Sequence, residues 1–486
     1  NKGIVMSASV REKAFTQRFY LYLIMTKSAE KLYMSYAVKN SEGAALMPSY
    51  IIRSMRKMFS HCLKLSYKDT AQQNSYVTIP RAANSFDNTE IAANVDEDII
   101  DSLTGGRLVG SVTSFENFAE CPLRYYLRYG VDLKEREEFT FSPVNFGVVL
   151  HAVIREVCDE IKKNGESYYL ISEEKRREMV KRSVAAITDI YQNSILKDSS
   201  RNSFMIKRME DLADRTVWAM GEQLKCGDFV PFVFEHKFNM EVGDGDRKQL
   251  MSGTIDRVDI CENGTDVYVR IIDYKTGKKD FNIVKTYYGI DIQLMVYMEA
   301  AMKLVAKMRP GKNVIPAGVF YYNISDPIVS ATTESAEEIE DKIKGELRLK
   351  GMVNSDKDIA EKMDNTEGTS LNIPVSRKAD GGFDSRRSKV MNTEQFNILG
   401  RFVDVRAVDT ADRIAGGDIR RSPYKDGQFS SCDRCPYGAV CGFSVDLPGC
   451  NYRKLKKFDD EVLWNNIKEG VDENGKKMDT GAEERD

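Results

Sequence analysis

Two aspartates and a lysine in one short stretch are the residues of this chain best suited to chemistry. Met251 to Asp280 reads MSGTIDRVDICENGTDVYVRIIDYKTGKKD. Asp256 sits in one apolar, β-branched run, and Asp273 and Lys275 close another, Ile271-Ile272-Asp273-Tyr274-Lys275. The polar turn Glu262-Asn263-Gly264-Thr265-Asp266 between them predicts a hairpin. Strands of this composition are buried, and a buried charge costs several kcal/mol unless it is paired or bound to a metal. Two carboxylates on adjacent strands, with a lysine two residues after one of them, suit a hard divalent cation and a water nucleophile.

A second group of chemically capable residues is the cysteines. Cys432, Cys435 and Cys441 form a C-x2-C-x5-C cluster. A fourth ligand must come from elsewhere: Cys121, in Glu-Cys-Pro-Leu-Arg-Tyr-Tyr, or Cys450, which is nearer in sequence. Four thiolates fit zinc or a 4Fe–4S cluster equally on composition. In a reducing cytosol, nine cysteines in a chain of this size point to metal ligands rather than a disulfide scaffold.

The elements that must position these groups can be read from periodicity. Phe146 begins an amphipathic helix reaching about Lys163 that carries His151, one of three histidines. Phe229 to Val242 alternates as a strand with Glu235 at its middle. Ile290 to Lys307 reads as a helix on which Gln293 and Tyr297, four apart, share a face. Ala317 to Ile324 is a further buried strand. Ser114 is placed to cap a helix running through Phe118, broken at Cys121-Pro122. Leu123 to Tyr129 is aromatic and basic, able to stack bases or simply to pack as a helix face. Charged helices are predicted over residues 172–225 and 333–350, a mobile polar insertion over 351–388, a helix from Thr393 to Ile414, and disorder beyond about 465.

Composition excludes several classes. At 486 residues, 42% hydrophobic and 30% charged, the chain is globular with room for two or three domains. No run is long and apolar enough to span a membrane, and no signal peptide is visible, so a cytoplasmic location is expected. A net charge of −3 gives no global basic field, and the local basic groups, such as Arg453/Lys454/Lys456/Lys457, read as solvated faces. Starting at Asn1 in mid-pattern, the chain reads as the C-terminal part of a longer protein.

Gly253-Thr254-Ile255-Asp256-Arg257, Ile272-Asp273-Tyr274-Lys275-Thr276-Gly277 and Gln293-x-x-x-Tyr297 resemble the motifs of RecB-type nucleases of the PD-(D/E)XK superfamily. The resemblance implies an α/β restriction-endonuclease-like core, a central mixed sheet flanked by helices with the site at one edge. It implies that His151, Asp256, Asp273 and the Tyr274 carbonyl hold Mg²⁺ or Mn²⁺, and that Lys275 orients or activates the water. Gln293 and Tyr297 would support the site and hold the DNA strand, and Glu235 is a looser addition to the set.

One cysteine before these motifs and three after them resemble the iron–sulfur staple of the AddB family of bacterial helicase–nuclease subunits. That resemblance favours a structural 4Fe–4S cluster on Cys121, Cys432, Cys435 and Cys441. Phe15 to Ala37 is similar to the closing segment of superfamily 1 helicases, with Lys27 where an ATP-contacting arginine is expected. An ammonium does not replace a bidentate guanidinium, so no ATP hydrolysis is expected from it. The implied organisation is a helicase-like end over 1–55, a linker over 56–107, the nuclease domain over 108–445 and a tail over 446–486. The implied activity is metal-dependent exonucleolytic hydrolysis of one DNA strand during double-strand-break processing, with an AddA-type helicase/nuclease subunit as heterodimer partner. A CRISPR-adaptation type iron–sulfur nuclease and a catalytically silent DNA-binding scaffold are the rival readings.

Overall fold

The computed structural model describes residues 10–27, 32–34, 36, 45–59, 94–96, 98–100, 109–134, 143–190, 200–242, 249–330, 335–445 and 450–472. The chain divides into two compact units, Asn1–Thr89 and Glu90–Asp486. In the first, a helix spans Val10–Thr26 and a second spans Tyr50–Met58, capped by the Ser49 hydroxyl on the Ile51 amide. Residues 32–34 and Tyr36, described residues of the stretch after the first helix, form no strand.

The second unit is built on a mixed sheet. Its strands are β1 (Val109–Ser111), β2 (Val230–Val242), β3 (Gln249–Asn263), β4 (Asp266–Lys275), β5 (Asn313–Asn323), β6 (Lys350–Asn354) and β7 (Val390–Met391). The path runs β1-β3-β4-β5-β6-β7, with β2 on the other edge of β3. β3 and β4 form the predicted antiparallel hairpin, turning at Gly264 in the left-handed region, φ 61°. β4 and β5 are parallel neighbours joined through the Gln293–Met308 helix.

Helices cover both faces, which is why β4 reads as an almost unbroken apolar run. Tyr268, Ile272 and Tyr274 pack in the core layer with the Pro143–Lys163, Glu173–Ile190 and Ser200–Lys225 helices. Val267, Val269 and Ile271 pack in the other, with the Gln293–Met308 and Thr393–Ala415 helices. No described helix is long and apolar enough to cross a membrane.

Three expectations are corrected here. The helix before Cys121 spans Val112–Glu120, and its cap is Ser111, whose hydroxyl accepts the Ser114 amide at 3.1 Å. Residues 351–388 are no mobile insertion: they supply β6 and the Lys357–Met363 helix. Their polar residues satisfy one another internally, with buried Asp364 accepting from Ser370 at 2.7 Å and Asn372 at 3.0 Å. The tail carries a helix, Asp460–Asp472, whose Leu463 and Ile467 are buried in the core. Residues 473–486 lie outside those described.

Candidate active site and cysteine cluster

The hairpin delivers its carboxylates where the two strands part. Arg257 opposite Ile272 is the last backbone pair of the β3–β4 ladder on this side. Beyond it the Asp256 side chain takes over, its Oδ2 accepting the Tyr274 amide at 2.7 Å. Ile255 and Val258 lie in the same core layer, so the period-two alternation of β3 slips by one residue across Asp256 and Arg257. Opposite that slip, Glu235 has φ 47°, the left-handed conformation rare for a side-chain-bearing residue in a strand.

His151, on the Pro143–Lys163 helix, completes the group. Its Nδ1 lies 3.4 Å from Asp256 Oδ1 and 3.8 Å from Glu235 Oε1. One ligand atom from each of the three lies within 4.8 Å of the others, the one such group of three or more among the described residues. Burial alone pulls the His151 imidazole down, but the hydrogen bond and charge of Asp256, with Glu235 and Asp273, leave it above its ordinary value. Burial, then the Asp256 charge, pushes Glu235 up. The same two causes push Asp273 up to about 6. Carboxylates crowded and desolvated in this way are stabilised in their charged form by a cation.

Asp273 stands beside this trio rather than within it. Its side chain is buried, and its Oδ2 lies 2.6 Å from the Lys275 ammonium. Lys275 also donates to Gln293 Oε1 at 2.9 Å, and Gln293 Nε2 donates to the Tyr297 hydroxyl at 2.9 Å. The Gln293-x-x-x-Tyr297 pair therefore shares a helix face that meets the hairpin, and Gln293 touches Lys275 directly.

Sequence reasoning missed two supporting networks. Behind Asp256, Asp259 accepts two hydrogen bonds from Arg257 (2.7 and 2.6 Å) and one from Arg270 (2.8 Å). All three are buried, and Arg257–Asp259–Arg270 ties β3 to β4. Alternating charge in an apolar strand, Arg257-Val258-Asp259, was the available signal. Beside Lys275, Asp291 accepts the Tyr321 hydroxyl at 2.7 Å and pairs with Lys279 at 3.0 Å. Glu116 Oε1 accepts the amides of Ile292 and Gln293. No local pattern announces contacts made across such sequence separations.

The second site joins the ends of the unit. Cys121, Cys432, Cys435 and Cys441 line one pocket, and Cys450 does not. Around it, Leu123 donates its amide to the Arg420 carbonyl at 3.2 Å, and the Tyr437 hydroxyl donates to the Leu133 carbonyl at 2.9 Å. Burial pushes the Cys121, Cys432 and Cys441 thiols up, so thiolates here need a bound positive charge. In the neighbouring Leu123–Tyr129 run, Tyr125 is buried edge-on against Phe118, while Tyr129 stays exposed. A separate cavity of about 480 Å³, lined by Tyr168, Arg176, Asp214 and Trp218 among others, contains none of these site residues.

A mixed sheet that presents Asp-x-Lys on one strand beside an acid on the next is a design that known nucleases share. Residues 110–442 match the PD-(D/E)XK nuclease superfamily, and the chain belongs to it. More particularly, it is similar to proteins named as the B-type subunit of an ATP-dependent helicase/deoxyribonuclease. The Clostridium acetobutylicum protein is 30% identical over 98% of this chain and 46% of its own length. That of Caldanaerobacter subterraneus subsp. tengcongensis is 31% identical over 99% and 46%, and that of Lachnoclostridium phytofermentans 30% over 99% and 46%. The chain thus spans about half the length of these curated relatives.

Proposed function

We propose that this chain is the nuclease-bearing part of a helicase–nuclease subunit and hydrolyses phosphodiester bonds of one DNA strand with a divalent metal. The observation that carries the reading is the convergence of His151, Glu235 and Asp256 within 4.8 Å of one another, with the Asp273–Lys275 pair alongside at 2.6 Å. Imidazole and carboxylate donors suit Mg²⁺ or Mn²⁺. His151, Asp256, Asp273 and the Tyr274 carbonyl would hold the ion, with Glu235 as a further ligand. Bound there, the metal supplies Lewis acidity and a more acidic water.

The chain's own residues do the rest. Lys275 holds a positive charge where phosphate negative charge grows, and Asp273 and Gln293 keep its ammonium in place. Tyr297 orients Gln293. The Tyr274 amide fixes one oxygen of Asp256 and leaves the other toward His151.

For the cysteines the reading is a 4Fe–4S cluster with a structural role. Cys121, Cys432, Cys435 and Cys441 line one pocket, and four thiolates there fit zinc or a 4Fe–4S cluster; the resemblance to the AddB-type staple supports the cluster. For the whole protein the reading is exonucleolytic end processing of double-strand breaks in the cytoplasm, beside an AddA-type ATPase and nuclease subunit; the relatives' names support its coarser part, a DNA-cutting subunit of a helicase–nuclease.

The test is hydrolysis of single-stranded DNA by the parent and by Asp273→Ala. Desolvation and the Asp256 charge already disfavour the Asp273 carboxylate, so the variant is expected to stay folded, with cleavage lost at an unchanged melting temperature. A folded Asp273→Ala protein that cuts at the parent rate sinks the assignment and favours a silent scaffold.

A further inference from the structure

The helix that carries Gln293 and Tyr297 begins without a cap of its own. Ile292 occupies the cap position, and no side chain there bonds the first amides. Helices normally place Ser, Thr, Asp or Asn at this point, because the first amides have no acceptor within the helix. Here the acceptor comes from 176 residues earlier in the chain: Glu116 Oε1 receives the Ile292 amide at 2.9 Å and the Gln293 amide at 3.0 Å. A carboxylate in this place also meets the positive end of the helix dipole.

Glu116 sits on the Val112–Glu120 helix, which ends at Cys121. One side chain therefore joins the cysteine-bearing segment to the first turn of the Gln293–Met308 helix. From there the polar contacts continue without a break. The Gln293 side chain accepts from Lys275 at 2.9 Å, and Lys275 lies 2.6 Å from Asp273. A shift of the first helical turn moves Gln293, and Gln293 is one of the groups that hold the ammonium. Burial pushes the Glu116 carboxyl up to about 7, with Asp291 adding to the shift and Lys279, the Gln293 amide and Lys275 opposing it. Asn or Ser at position 292 would cap the helix at lower desolvation cost. The carboxylate's distinct contribution is the link between two segments remote in sequence.

We propose that Glu116 is a positioning residue of the nuclease site: it fixes the start of the Gln293–Tyr297 helix, and through Gln293 the Lys275 ammonium, against the Cys121 segment. The proposal rests on the reading of the Asp256/Asp273/Lys275 group as a nuclease centre. It concerns where groups are held, and Glu116 touches neither the metal ligands nor the reacting phosphate.

The experiment compares Glu116→Ala and Glu116→Gln in the full-length protein, with Asp273→Ala as reference. Glutamine keeps an acceptor oxygen of the same reach, and alanine removes it. The expected result is a fall in kcat for single-strand cleavage of about ten- to hundredfold in Glu116→Ala, with KM for DNA changed less than about threefold and most of the loss recovered in Glu116→Gln. Amide hydrogen exchange at Ile292 and Gln293 should speed up in Glu116→Ala alone, while iron content and melting temperature match the parent. The exchange readout needs no activity. Equal losses in the alanine and glutamine variants, unchanged exchange at those two amides, or activity lost only together with the cluster and the fold would each overturn the proposal. If the parent cleaves, Asp273→Ala does not, and Glu116→Ala cleaves normally, only the Glu116 assignment falls. If Asp273→Ala cleaves like the parent, the nuclease reading fails and takes the proposal with it.

Discussion

Glu235 shows at the residue scale how the site departs from a plain strand. Its φ of 47° is the conformation of a glycine, yet the residue carries a carboxyl aimed at His151 and Asp256. Backbone strain of this kind costs about 1–3 kcal/mol and persists where the surroundings hold it. Alanine at 235 keeps the strain and loses the carboxylate, whereas glycine loses both. In urea unfolding Glu235→Gly should therefore be more stable than Glu235→Ala by roughly 1 kcal/mol, with metal affinity lowered equally in both. An alanine variant as stable as the glycine variant would remove the strain argument. Of the candidate residues, Asp256, Asp273 and Lys275 were legible in the hairpin pattern, and Gln293 and Tyr297 in the resemblance to the nuclease motif. The left-handed turn at Glu235 and the reach of Glu116 were not, since each depends on a neighbour far away in sequence.

At the scale of elements, periodicity predicted β2, the β3–β4 hairpin, β5 and the helices around them, because each buries a regular apolar set. It failed at residues 351–388, where polar composition suggested a loop but the polar groups hydrogen-bond internally around Asp364. It also gave no hint of what happens where the Gln293–Met308 and Thr393–Ala415 helices meet. There Asp404 faces Glu299, and burial, followed by the hydrogen bond to that acid, pushes Asp404 up to about 8. An unfolded chain releases this proton near pH 3.8. Between about pH 4 and 8 the native state thus holds a proton that the unfolded state has lost, and stability contributed by this group falls as pH rises. Asp404→Asn mimics the protonated form. Its melting temperature should gain on the parent's from pH 4 to 8 and then run parallel, while a gap independent of pH would contradict the pairing.

At the scale of the molecule, a cluster held by the four cysteines would close the superfamily unit on itself. Cys121 lies between β1 and the other strands of the sheet, and Cys432, Cys435 and Cys441 follow them all. Closing a loop of this length removes entropy from the unfolded chain, an effect that grows slowly with length. The C-x2-C-x5-C spacing suggested three ligands and the AddB-type resemblance a fourth, Cys121; in the fold Cys121 lines the pocket with those three and Cys450 does not. Cys121→Ser should lose most of the iron and the visible absorption of anaerobically purified protein and lower its melting temperature, whereas Cys450→Ser should keep both. Iron retained in Cys121→Ser, or zinc found in place of iron in the parent, would contradict the assignment.

The proposed metal-dependent nuclease centre stands on the hairpin of β3 and β4. It is tested most directly by the cleavage rate of an end-labelled single-stranded DNA, measured for the parent and Asp273→Ala side by side, with Mg²⁺ and with EDTA. Cleavage by the parent in Mg²⁺ only is expected, and none by Asp273→Ala in either condition at an unchanged melting temperature. Cleavage that survives EDTA, or an Asp273→Ala protein that keeps the parent's rate, would contradict it.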